Sequence, residues 1–117
     1  MAVADLERAL RTTPLIEITV TGRRSGRPIT VPVNFVQEGD RLYLLPVRGS
    51  DTQWYKNVLK TPTIRLAADG AQHVARAVPI TDPARVREIV DRFRAKYGAA
   101  EMRYYTKLDV AVEVPLA

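Results

Sequence analysis

The sequence predicts a mainly β protein, an antiparallel barrel of six strands with helices appended at one end. Three observations point there. Apolar and polar residues alternate in separate runs, the period of a half-buried strand. Most of these runs are joined by short turns rich in glycine and aspartate, which makes neighbouring strands antiparallel. No long βαβ crossover of the kind that parallel strands need is available.

Ala4 to Arg11 sets Leu6, Ala9 and Leu10 at helical spacing and stops before Thr12-Thr13-Pro14, so a short helix comes first. Leu15 to Thr21 follows, with Ile16, Ile18 and Val20 on one face and Glu17 and Thr19 on the other, a strand pattern. Beyond a basic turn, Ile29, Val31, Val33 and Phe35 repeat it, with Thr30 and Asn34 opposite. Pro28 and Pro32 cannot donate to a ladder, so this strand must be bulged or at an edge. Glu38-Gly39-Asp40 turns the chain into Arg41 to Val47, where Leu42, Tyr43, Leu44 and Leu45 imply burial on both sides.

Asp51 is expected to cap a helix over Thr52 to Lys60 that turns Trp54 and Val58 inward, with Trp54 as a core anchor. Pro62 ends it. Thr63 to Ala68 and Gln72 to Ile80 read as strands joined through Asp69-Gly70, a turn that demands positive φ. Asp82-Pro83 then pairs an N-cap with proline at the first helical position, and Val86, Ile89, Val90, Phe93 and Tyr97 form one apolar stripe up to Gly98. A short helical or mobile segment carries Met102, Tyr104 and Tyr105, and Leu108 to Val114 is the last strand.

The length of 117 residues fits one domain, 1–117, with a core that needs neither disulfide nor metal. There is no cysteine, and His73 is the single histidine, so thiolate and zinc sites are not expected and no metal is assigned. His73 falls in a strand with no nucleophile beside it, which leaves it a half-exposed sheet residue. The formal charge is +5, and arginine supplies 14 of the 18 basic residues. Outside residues 23 to 27 these are scattered among acids, without the aromatic-and-basic repeats that stack bases, so nucleic acid is not an expected partner. No apolar run is long enough to span a bilayer and no basic segment leads into an apolar core near the N-terminus; a cytoplasmic protein is expected. Rossmann and P-loop fingerprints are absent, because Gly22, Gly26 and Gly49 lie between strands or before a short helix.

The most informative stretch is Gly22-Arg23-Arg24-Ser25-Gly26-Arg27-Pro28. Its glycines allow close backbone approach, and three permanently charged guanidinium forks suit phosphate or carboxylate. A solvated turn guarding a sheet edge is the plainer reading of the same residues.

Taken with Ile29-Thr30-Val31-Pro32-Val33, Arg48-Gly49 and Trp54-Tyr55-Lys56-Asn57-Val58-Leu59 before Pro62, this turn resembles the deazaflavin-dependent nitroreductases. These belong to the flavin-reductase and pyridoxamine-phosphate-oxidase-like superfamily and bind coenzyme F-420. The likeness covers about residues 12 to 70 and extends to Tyr105-Thr106-Lys107-Leu108-Asp109. It implies a six-stranded antiparallel split β-barrel, of the FMN-binding split-barrel type, and hydride transfer from reduced coenzyme F-420 to a quinone, nitro compound or enone. It also implies roles. Arg24 matches the residue holding the coenzyme's acidic tail, with Arg23, Ser25 and Arg27 around it. Thr30, Val31, Pro32 and Val33 match the strand along the deazaflavin ring, Arg48-Gly49 the turn beside it, and Asn57 the helix residue facing the cofactor. Tyr104 and Tyr105 match the substrate side, where a phenol can donate to the acceptor oxygen as hydride arrives. The family pattern has arginine where this chain has Ile29, a loss that Arg23, Arg27 and Arg48 can offset. An FMN-binding reductase of the same fold, or a non-catalytic module for a cofactor or fatty acid, are the alternatives. A ring-sized pocket is hard to enclose with 117 residues, so a homodimer is expected.

Overall fold

A computed structural model describes residues 3–116. The runs flanking the basic turn pair as antiparallel strands β1 (Leu15–Thr21) and β2 (Pro28–Asn34). Their register sets Ile16, Ile18 and Val20 opposite Val33, Val31 and Ile29, so one face of the pair is aliphatic. β2 pairs only with β1 and forms the sheet edge, the position that Pro28 and Pro32 require.

Two of the expected strands divide. After Asn34 the chain passes Phe35 and continues as β3 (Val36–Glu38), which pairs with β4 (Arg41–Leu44) in a second sheet. The run expected over Gln72–Ile80 is likewise β6 (Ala71–Arg76) in the first sheet and β7 (Val78–Ile80) in the second, broken at Ala77. With β5 (Thr63–Ala68) and β8 (Ala111–Pro115), two four-stranded antiparallel sheets result, ordered β2-β1-β5-β6 and β3-β4-β8-β7. Six strands are thus corrected to eight, and the ladders close no barrel among the described residues.

The breaks occur where the backbone finds partners outside both ladders. Phe35 N donates to the Tyr97 hydroxyl at 3.0 Å, Phe35 O accepts from Lys96 Nζ at 2.7 Å, and Ala77 N donates to Pro62 O at 2.8 Å. Tyr97 in turn donates to Pro14 O at 2.7 Å. Burial pushes its phenol up to about 12, so it remains a donor across the ordinary pH range.

Four helices complete the chain: α1 (Val3–Thr12), α2 (Gln53–Lys60), α3 (Pro83–Tyr97) and α4 (Ala99–Met102). α3 begins as expected, with Asp82 Oδ2 accepting from Arg85 N and Pro83 first in the helix, and ends at Gly98 with φ +89°. α2 differs. Asp51 belongs to a 3-10 turn, Gly49–Asp51, and pairs with Lys107 Nζ at 3.1 Å, leaving Thr52 in the cap position. The Thr52 hydroxyl accepts from Arg48 N at 2.8 Å, so it closes the preceding turn instead of capping the helix.

The second sheet is buried on both sides. Leu42 and Leu44 face the first sheet, α1 and α2 in one core cluster, whereas Tyr43 and Leu45 join Val86, Ile89 and Phe93 of α3 in another. This explains the unbroken apolar run in β4. The first sheet has a core on one side only; Thr30, Arg65 and Val74 stay exposed on its other face. His73 sits half-buried in β6 with Nε2 3.0 Å from Pro115 O, a sheet residue as expected.

Candidate active site

The far end of β2, the chain after β4, the start of α2 and the α4 segment enclose a pocket of about 360 Å³. Pro32, Val33 and Asn34 form one wall, Leu45 and Val47 a second, Thr52 and Trp54 a third, and Glu101, Tyr104 and Tyr105 the fourth. The lining is chiefly apolar with a few polar tips, the usual make-up of a small-molecule site. A groove of about 380 Å³ between β4 and α3 is unlike it: its lining is largely charged, with Arg92 paired to Glu38 there and Arg41 to Glu113 beneath.

The two tyrosines are not equivalent. Tyr104 is 68% exposed, while Tyr105 is only 8% exposed, its ring edge-on to Phe93 at 6.1 Å. Asn34 Nδ2 donates both to the Tyr105 hydroxyl at 3.2 Å and to Glu101 Oε2 at 3.0 Å. Burial and the Glu101 charge raise the Tyr105 phenol above its ordinary value, against the opposing hydrogen bond from Asn34. It is therefore a protonated donor at neutral pH.

Beside the pocket, the Arg48-Gly49 turn is held by three hydrogen bonds. Gly49 N donates to Pro46 O at 3.0 Å, and Asp109 accepts from Ser50 N at 2.9 Å and Ser50 Oγ at 2.6 Å. Burial alone would raise the Asp109 carboxyl; the Ser50 hydrogen bonds and the Lys107 charge outweigh it and hold it below its ordinary value. The Arg48 side chain is exposed and has no partner among the described residues.

The basic turn lies at the other end of β2. Gly22 N donates to Arg27 O at 2.8 Å and Gly26 N to Gly22 O at 2.9 Å. A Cβ at Gly22 would sit 2.7 Å from Ser25 Oγ, a contact that rotation of the exposed serine side chain can relieve. Arg23 points back into the protein. Its Nη1 donates to Asn57 Oδ1 at 2.9 Å, its Nη2 to Gln53 Oε1 at 2.7 Å, and its backbone N also reaches Asn57 Oδ1 at 3.1 Å. Lys60 Nζ donates to Arg23 O at 2.7 Å, so the turn is bolted to α2. Arg24 and Arg27 remain exposed, with guanidinium groups that have no partner among the described residues.

The structure therefore brings Pro32, Val33, Tyr104 and Tyr105 together, with Arg48-Gly49 adjoining. Arg23 and buried Asn57 bond to each other and do not line the pocket. Ser25 accepts from Arg27 N within the turn, Val31 packs partly into the core, and the Thr30 hydroxyl bonds Thr19 at 2.8 Å on the outer sheet face. Arg24 and Arg27 stand off by the length of β2, roughly 20 Å at the rise of a strand. Sequence reasoning missed Glu101. Its place three and four residues before the tyrosine pair was the available signal.

Two antiparallel sheets with a pocket between the end of an edge strand and the α4 segment make a split-barrel-like fold. Solved structures share this fold. An F420-H2 dependent reductase is 23% identical, with 86% of this chain and 93% of that chain covered and a TM-score of 0.67. A structure described as a domain-swapped dimer is also 23% identical, covering 95% and 94% at a TM-score of 0.68. A FAD-binding protein of Mesorhizobium loti, 11% identical, covers 100% and 91% at 0.70. No curated protein matches the sequence. The family model described as F420H(2)-dependent quinone reductase matches residues 2–115, and the chain belongs to that family of oxidoreductases, whose reductant is reduced coenzyme F-420. The resemblance carried by the basic turn and the Trp54-to-Asn57 helix is borne out at the level of family and cofactor. Among the described residues no helix is long and apolar enough to cross a membrane.

Proposed function

We propose that this chain binds reduced coenzyme F-420 and directs its reducing equivalents to a small electrophilic acceptor, a quinone, nitro compound or enone. The observation that carries the reading is the pocket itself, where the Pro32-Val33 wall faces the Tyr105 hydroxyl. When bound, the reduced deazaflavin supplies a hydride, a two-electron chemistry that asks the protein mainly for orientation and polarisation. The residues present fit the group. A pocket of about 360 Å³ suits the ring and not the whole coenzyme. The acidic tail then lies outside, where Arg48 beside the pocket, and Arg24 and Arg27 a strand's length away at the other end of β2, offer exposed guanidinium groups without a protein partner among the described residues. Arg23 and Asn57 serve this arrangement by fixing the turn. Fluorescence titration with the deazaflavin and with FMN, followed by stopped-flow oxidation of the reduced deazaflavin by a quinone, tests the reading. Preference for FMN, or binding with no oxidation by any acceptor, would overturn it in favour of the corresponding alternative.

Arg24→Ala should weaken deazaflavin binding by roughly tenfold to a hundredfold, the scale of a lost charge-assisted contact, and the deficit should shrink in high salt. The fold should be unaffected, because the Arg24 side chain makes no contact that holds the turn. Unchanged affinity would return Arg24 to solvent.

The working unit we infer is a homodimer. The uncovered face of the first sheet, with Val74 59% exposed, supports this, and so does the structural neighbour described as a domain-swapped dimer. Light scattering at micromolar concentration should give twice the chain mass. A monomer that still binds cofactor would contradict it.

A further inference from the structure

Glu101 is the one carboxylate in the pocket wall, in a protein whose net charge is +5. An ionised carboxylate can only accept hydrogen bonds, so it dictates which end of the Asn34 amide faces it. Asn34 must present Nδ2, and the same nitrogen reaches the Tyr105 oxygen. Tyr105 is thereby made the acceptor of that bond. Its own proton has no other acceptor among the described residues and is left for whatever occupies the pocket.

We propose that Asn34 and Glu101 are a positioning pair that holds the Tyr105 hydroxyl as a donor toward the acceptor oxygen, and that the Glu101 charge makes the pocket select neutral acceptors over anionic ones. This rests on the reading that the acceptor enters this pocket. Without the carboxylate the amide is free to turn its oxygen toward Tyr105, and the hydroxyl then donates to Asn34 and not to the acceptor. The groups facing Tyr105 from neighbouring elements are few: Asn34 from β2, Glu101 from α4, and from α3 Phe93 and Tyr97, whose hydroxyl is already given to Pro14 O.

The test compares the parent with Glu101→Gln and Asn34→Ala. With reduced coenzyme F-420 as donor, Glu101→Gln should lower kcat for a neutral naphthoquinone by about tenfold while raising the relative kcat/KM of a sulfonated naphthoquinone by about tenfold. Asn34→Ala should lower kcat similarly but leave the neutral-to-sulfonated ratio unchanged. NMR titration of carbon-13-labelled tyrosine, with Tyr105 assigned through Tyr105→Phe, gives a readout independent of turnover. The Tyr105 transition should move to higher pH in Asn34→Ala, which loses a donor to the phenolate, whereas in Glu101→Gln the lost negative neighbour and the turned amide act in opposite directions and the shift should be smaller. An unchanged acceptor ratio in Glu101→Gln, or a Tyr105 titration unmoved in both variants, overturns the proposal. If the parent oxidises no reduced cofactor with any acceptor, the functional reading falls, and the Tyr105 titration alone decides the pair.

Discussion

Gly49→Ala is expected to lower stability by roughly 2 to 4 kcal/mol, from a backbone term and a contact term together. Gly49 sits at φ +55°, where a side chain is strained in any surroundings. A Cβ would also run into Asp109 Oδ1 and come within 2.8 Å of Lys107 O. The backbone oxygen cannot swing away, and displacing the carboxylate would strip Ser50 of both its hydrogen bonds. Gly26→Ala is the control. Gly26 has φ +71° but nothing within 4 Å of its Cβ position, so the backbone term stands alone, about 1 to 2 kcal/mol. Denaturant midpoints at constant m-value should rank the two. Equal losses would show that the crowding around Gly49 relaxes freely.

Tyr105→Phe should cut turnover of a quinone by roughly tenfold to a thousandfold, the span for a positioned proton donor, with little change in cofactor affinity. Tyr104→Phe should have a far smaller effect. The contrast follows from their settings, since Tyr105 is 8% exposed with its oxygen fixed by Asn34, and Tyr104 is 68% exposed. Stopped-flow oxidation of reduced deazaflavin measures both. If Tyr105→Phe reacts as fast as the parent, that phenol is packing against Phe93 and nothing more.

What was legible in the sequence is what depends on near neighbours along the chain. Pro28 and Pro32 announced a strand bulged or at an edge, and the edge is what forms; Asp69-Gly70 announced a turn that the structure shows at φ +47° and +84°, and Asp82-Pro83 the start of α3. The apolar run of β4 gave away a sheet buried on both faces. The divisions at Phe35 and Ala77 were hidden because their causes are distant: Tyr97 and Lys96 accept or satisfy the backbone of Phe35 from 62 and 61 residues away. Asp51 looked like a cap because aspartate before a helix usually is one, but Lys107, far along the chain, claims it.

The site was legible as a set of residue types more than as a constellation. Pro32, Val33 and the two tyrosines do converge, but from opposite ends of the chain, and no local pattern shows that Asn34 joins Tyr105 to Glu101. The three arginines of the basic turn are alike in sequence. Only the fold separates Arg23, turned inward to α2, from Arg24 and Arg27, turned outward.

That separation bears on how an anion would be captured. A mobile loop that closes over its ligand loses conformational freedom at the moment of binding, and the affinity is reduced by that loss. Here the Arg23 bonds to Gln53 and Asn57, together with the Lys60 bond to the Arg23 carbonyl, order the turn while the chain folds. Arg24 and Arg27 are presented on a rigid mount before any ligand arrives. If Arg24 and Arg27 hold the coenzyme's acidic tail as proposed, one arginine is the pin that makes the other two a preformed receptor, and capture would need encounter and no rearrangement of the turn.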